Sequence, residues 1–238
     1  MLFRSIHCDT IGVSIYGATR ETYDRVTGVP GSYDAFMRGL KHAASRRLPV
    51  VVRMPMMTDN AHEVHEARAL VESLGLKFQY CLDITPRTDG DLSPLAHRLS
   101  AKRKIEIDNA FIGHTTVSKS TAACSKTDAF ISCSCGQNRF AVTPYGEMNL
   151  CVAFPIPKYD LRNGTLKDGW EALKRTVDGA QPNSHYECPR CDVRLHCRQS
   201  PSDAWLETGD MSRCLPHFKE FARLEKHVHE LLDPRQPV

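Results

Sequence analysis

The sequence predicts an α/β fold over residues 1–95 and a small, cysteine-rich α+β region over residues 129–238, joined by a polar connector at 96–128. Three observations predict it. Short β-branched segments alternate with helix-spaced ones up to residue 84, turn-forming residues take over at Thr85, and seven of the ten cysteines fall after residue 129.

The first strand is read in "IGVSIYG" (11–17), an apolar run closed by glycine. "GSYDAFMRGLKHAASRR" (31–47) spaces Phe36, Leu40 and Ala43/Ala44 as one helix face. "LPVVVRMPMM" (48–57) is a second strand, rich in valine. Asn60 is placed to cap the helix "AHEVHEARALVESLG" (61–75), which Gly75 stops, and "LKFQYCLDI" (76–84) is a third strand. This βαβαβ order predicts a parallel sheet, and strands apolar on both faces predict helices covering both. As the sheet's first strand, 11–16 is expected to be an exposed apolar edge.

Beyond Thr85 come "TPRTDGDLSP" and a mixed polar stretch whose "AKRK" (101–104) reads as solvated surface. "RFAVTPYGEMNLC" (139–151) alternates as a hairpin about Pro144, Tyr145 and Gly146, the glycine supplying the backbone freedom of a tight turn. Leu215, Phe218, Phe221, Leu224, Val228 and Leu231 recur as one apolar helix face expected to dock on the core.

Composition excludes several classes of function. A chain of 238 residues with 41% apolar content can bury an ordinary core without covalent staples. "MLFRSIHCDTIGVSIYG" lacks the basic start, apolar run and cleavage site of a secretory signal, so a reducing, cytoplasmic setting is expected. There, clustered cysteines bind metal or do redox chemistry more often than they form disulfides. No segment approaches the roughly 18 apolar residues that span a bilayer, and a net charge of +3 does not indicate nucleic acid.

In "CPRCDVRLHC" (188–197) the spacings are C-x2-C-x5-C, and Cys214 follows after sixteen intervening residues. A zinc ribbon would show a second C-x2-C knuckle, and there is none. Four thiols approaching from several directions suit the all-thiolate ligation of a 4Fe-4S cluster. Cys188, Cys191, Cys197 and Cys214 make one full set. Cys133, Cys135 and Cys151 begin a second, with the turn at Gly146 returning Cys151 toward the other two. That set is short of a certain ligand.

The pattern C-x12-G-x4-C (Cys133, Gly146, Cys151), followed by C-x2-C-x5-C and a final cysteine, resembles the SPASM extension of radical S-adenosylmethionine (AdoMet) enzymes. "VSIYGATRETYDRVTGVPGSYDAFMRGL" and "VVVRMPMMTDNAHEVHEARALVESLGLKF" are similar to the fourth and fifth βα units of the radical SAM barrel, and "ITPRTDGD" to the exit from its sixth strand. The resemblance implies about three βα units of a (β/α) barrel followed by a SPASM-like domain with one 4Fe-4S cluster, and a second if its ligands are completed. It also implies a peptide or similar substrate, radical chemistry begun by reductive cleavage of AdoMet, a reductant protein, and no nucleic-acid or membrane partner. Ser14 and Arg53 lie on the strands whose family counterparts hold the ribose and carboxylate of AdoMet.

Two departures qualify the match. Ser200 stands where the family carries one more cysteine, so the second site is expected to be absent, labile, or completed by Cys135 or Cys124. The C-x3-C-x2-C loop that binds the catalytic cluster is nowhere in these residues, so AdoMet use is expected only with a chain supplying the N-terminal barrel half. The other class of reading is a non-catalytic iron-sulfur partner module or a truncated remnant.

Cys8 and Cys81, in or beside apolar strands, are expected to be small buried hydrophobes. His62 and His65 in "HEVHE" do not form the H-E-x-x-H zinc pattern and read as a solvated face, and His196 reads as packing.

Overall fold

A computed structural model describes residues 8–111, 130–131 and 135–232. It separates into two compact units, residues 1–84, 95–99 and 110–117 in the first and 85–94, 100–109 and 118–238 in the second.

In the first unit β1 (Ile11–Ser14), β2 (Val50–Pro55) and β3 (Lys77–Cys81) form a parallel sheet in the order β1-β2-β3, the arrangement the βαβαβ reading predicts. The connections carry α1 (Arg20–Thr27), α2 (Ser32–Ser45) and α3 (Val64–Ser73). Period-two alternation divides the sheet. Val52 and Met54 of β2, Phe78 and Tyr80 of β3 and the adjoining Ile15 are buried, as are Val64, Ala67 and Val71 of α3. Gly12, Ser14, Arg53, Lys77 and Cys81 point the other way and are exposed. The expectation of cover on both faces is therefore corrected: among the described residues one face is apolar and buried and the other is exposed.

Cys81 belongs to the exposed set because it is in phase with Lys77 and Gln79, not with Phe78 and Tyr80. Cys8 precedes β1 and is also exposed, so neither thiol is the buried hydrophobe expected. Asn60 caps nothing. It is completely buried, its Oδ1 accepts from Met57 N at 2.8 Å, and its Nδ2 donates to Tyr16 O and Pro55 O. It ties the segments that leave β1 and β2. Gly75 stops α3 as read, with φ +72° and its N–H on Glu72 O.

Helix α1 has a local cause that the apolar pattern hid. Thr19 caps it by accepting from Thr22 N, and the Glu63 carboxylate accepts from Ala18 N, Thr19 N and the Thr19 and Thr22 hydroxyls. Burial raises the Glu63 pKa, but those donors outweigh it and hold the carboxyl below its ordinary value.

The second unit contains most of α4 (Ala101–Phe111), which forms where only a polar connector was expected. Ala101, Lys104, Ile107 and Phe111 share its buried face. Lys104 is 3% exposed and its ammonium lies 5.9 Å from the Phe218 ring centroid, so "AKRK" is not wholly solvated surface. The hairpin is as read: β4 (Ala141–Val142) pairs antiparallel with β5 (Glu147–Asn149) through Gly146 at φ +79°. A third strand, β6 (Tyr159–Asp160), joins β5. Met148, Leu150 and Phe154 make a core with Leu173 of α5 (Leu166–Gly179). Helices α6 (Pro201–Thr208) and α7 (Pro216–Leu232) follow. Phe218, Phe221 and Ala222 of α7 are buried, while Leu231 is 72% exposed, so the docked stripe ends before the last turn.

Candidate metal centre

Residues 188–197 fold as linked 3-10 turns, Cys188–Arg190 and Arg194–His196. Cys191 N donates to Cys188 O, Arg194 N to Cys191 O, and Cys197 N to Arg194 O. The three sulfurs thus fall at the start, the joint and the end of a doubled turn, with Val193 fully buried behind it.

Cys214 arrives from the segment before α7, and Gln199 brings it in. The Gln199 amide donates to Arg213 O at 2.7 Å and accepts from Leu215 N at 2.8 Å, gripping the backbone on both sides of Cys214. Sequence reading missed this residue; its only signal was its place two residues beyond Cys197. Beside it Arg198 is held by Asp108 at 2.8 Å and by Glu225, with its guanidinium 4.7 Å from the Phe221 ring centroid. A half-buried cation so satisfied anchors the end of the cysteine loop against α7.

Cys188, Cys191, Cys197 and Cys214 all line one cavity of about 50 Å³, with Phe130 and Tyr186 on its apolar wall. No disulfide joins any two of them. Burial pushes the Cys197 thiol up to about 11, the backbone of Gln199 opposes that, and the other three thiols add to it. Cys214 is also raised, chiefly by burial. Among the described residues no three Cys, His, Asp or Glu converge closely enough to close on a single metal ion. The four thiols surround a space instead of meeting at a point, and an all-sulfur donor set around a space fits a multi-iron cluster.

Of the second set, Cys135 and Cys151 line a smaller cavity of about 20 Å³ with Leu150, Phe154, Pro201 and Ser202. Cys133 and Cys124 lie outside the described residues. Ser200 lines the four-cysteine cavity, not this one. Its hydroxyl is engaged as the N-cap of α6, in a capping box with Asp203. His196 packs edge-on against His229 and is not on the cavity wall, whereas His62 and His65 are exposed, His65 stacking on Phe111.

Ser14 and Arg53 are partners in the β1–β2 register, both on the exposed face of the sheet. Arg53 is partnered on its other side by Gln79, to whose Oε1 its Nε donates at 3.1 Å. The Arg53 guanidinium lies over Gly12, where a Cβ would stand 3.4 Å from Nη1, at ordinary van der Waals contact. Ser14, Arg53 and Gln79 make a polar row across the sheet.

No protein-family model matches the chain. It is 20% identical over 233 residues to the AdoMet-dependent heme synthase of Methanosarcina barkeri, a match covering 87% of this chain and 66% of that protein. Its fold matches the solved structure of native anSMEcpe with bound AdoMet and the Kp18Cys peptide, a SPASM radical SAM enzyme, with TM-score 0.53 and 14% identity over 93% of this chain and 68% of the other. The chain resembles a partial radical SAM/SPASM protein. It spans about two thirds of the length of both relatives. The radical SAM likeness rests on the mixed α/β fold with its parallel sheet. Among the described residues no helix is long and apolar enough to cross a membrane.

Proposed function

We propose that the chain is the iron-sulfur-binding C-terminal portion of a radical SAM/SPASM oxidoreductase that modifies a peptide or similar substrate. In this reading residues 1–95 are about three βα units of the (β/α) barrel, 96–128 the connector and 129–238 the SPASM-like domain. The observation that carries it is the single cavity lined by Cys188, Cys191, Cys197 and Cys214. Those four residues would hold a 4Fe-4S cluster, which supplies one-electron transfer when bound. The chain contributes position and surroundings: the doubled turn presents three sulfurs, Gln199 fixes the fourth, and Phe130, Tyr186 and Val193 limit water at the site. Cys135 and Cys151 would hold part of a second cluster together with Cys133.

On the other unit, the exposed Arg53 guanidinium offers a carboxylate partner and the Ser14 hydroxyl a hydrogen bond, which suits the amino-acid and ribose portions of AdoMet. Both residues sit toward the carboxyl end of their strands, where βα-barrel chemistry is placed. The expected partners are a chain carrying the C-x3-C-x2-C loop and a reductant protein in the cytoplasm.

Anaerobic purification followed by iron and acid-labile sulfide analysis tests the proposal. About four of each per chain are expected if only the complete site fills, falling sharply in Cys197→Ser. Stoichiometric zinc without sulfide overturns it.

A further inference from the structure

A second cavity, of about 420 Å³, opens on the outer side of Cys214 and is lined by His185, Glu187, Arg213, Lys219 and Arg223. The first turn of α7 begins at its wall with Pro216. Three fixed cations thus face one carboxylate. Glu187 lies 3.7 Å from Lys219, and Arg213 approaches Asp210 at 3.7 Å, but no ion pair engages Arg223 among the described residues. Lys219 and Arg223 are one turn apart on α7 and so present their charges on the same side. The rim is also fastened in place. His185 Nδ1 and Asp210 Oδ2 are 2.7 Å apart, Asn183 Nδ2 donates to Asp210 Oδ1, and Asn183 N donates to the Ser212 hydroxyl. The segments 183–187 and 210–214 therefore hold a constant separation, and the cavity between them is prebuilt.

We propose that this cavity is a binding site for the oxyanion group of a small molecule, a phosphate or polycarboxylate, with Arg223, Lys219 and Arg213 as its ligands. A volume of about 420 Å³ is in the range of small-molecule pockets and too small for a folded partner. The Arg223 guanidinium, without an ion pair among the described residues and joined by Lys219, Arg213 and the positive end of a 17-residue helix, selects negative charge. The outward-facing Arg223 supplies the unshared donors. The bound anion would border Cys214, a residue that lines both cavities, so this site adjoins the metal centre without being part of it.

Calorimetric titration of the full chain at about 0.15 M salt, with inorganic pyrophosphate in one arm and tricarballylate in the other, tests the site. One saturable site per chain is expected. Arg223→Gln and Lys219→Gln should each weaken it about tenfold or more, while Arg46→Gln, an exposed arginine at the end of α2, leaves it unchanged. The tighter arm distinguishes a phosphate-bearing ligand from a carboxylate one. Absence of saturable binding in both arms overturns the proposal, as does binding that survives Arg223→Gln and Lys219→Gln in chains whose melting matches the parent. Iron content measured on the same samples is a separate readout, so the anion site and the cluster assignment stand or fall independently.

Discussion

Gln199 holds Cys214 by its neighbours: one side-chain amide bonds Arg213 O and Leu215 N, fixing a cysteine that is distant in sequence from the turn bearing the other three. Gln199→Leu keeps the volume and removes both bonds. Global stability should fall by about 1–3 kcal/mol, the range for two neutral hydrogen bonds. Iron retained after gel filtration should fall with it, whereas Gln199→Glu, which keeps an acceptor for Leu215 N, should retain more. Equal retention in the two variants would show that Cys214 is positioned by α7 alone.

Arg53 offers a test of whether its sheet face serves a ligand or the fold. The side chain is exposed and, among the described residues, its one side-chain hydrogen bond is to Gln79. Arg53→Met should change unfolding free energy by no more than about 0.5 kcal/mol in a urea titration. A loss above about 1.5 kcal/mol would mean that the guanidinium supports the sheet, and the AdoMet-carboxylate reading would lose its basis.

Glu63 should make the first unit sensitive to acid. Its folded pKa lies below the ordinary Glu value because four donors outweigh burial, so the ionised form is the one folding favours. The contribution is present above the ordinary value of about 4.3 and is lost as pH falls through the lowered folded value. At neutral pH Glu63→Gln should cost about 2 kcal/mol, and the gap between variant and parent should narrow progressively in more acidic urea titrations. A gap independent of pH would show that the site needs an oxygen but not a charge.

Ser200 and Ser202 should differ sharply as places to add a sulfur. Ser200 caps α6 and lines the four-cysteine cavity, while Ser202 lines the cavity of Cys135 and Cys151. Ser200→Cys should cost about 1 kcal/mol of stability through the lost cap and leave iron content near the parent's. Ser202→Cys should raise iron content, having placed a third described thiol on the smaller cavity. Iron that rises with Ser200→Cys and not with Ser202→Cys would reverse the assignment.

The order βαβαβ, the hairpin at Gly146, the stop at Gly75 and the tail helix were legible in the sequence because each depends on local periodicity or on a backbone conformation that glycine adopts cheaply. The doubled turn of 188–197 was legible as spacing, and with Cys214 it named the four thiols that share a cavity. Which face of the sheet is covered was not legible. Alternation says only that Ser14 and Arg53 oppose Val52 and Ile15, and the sheet's surroundings decide which set meets water. Asn60 looked like a helix cap and became a buried tie between two post-strand segments, since its amide found carbonyls at Tyr16 and Pro55. Lys104 looked solvated and lies over Phe218, because a long aliphatic stem can follow the apolar stripe of α4 while its ammonium meets a ring. Gln199 carried no sequence signal beyond its place two residues after Cys197, because hydrogen bonds to the backbone some fourteen to sixteen residues away exist only once the chain has brought those segments together. The sequence by itself therefore determined the local elements and the kind of ligand atoms. Tertiary structure alone decided which of those atoms share a space, because that depends on long-range contacts that no local pattern encodes.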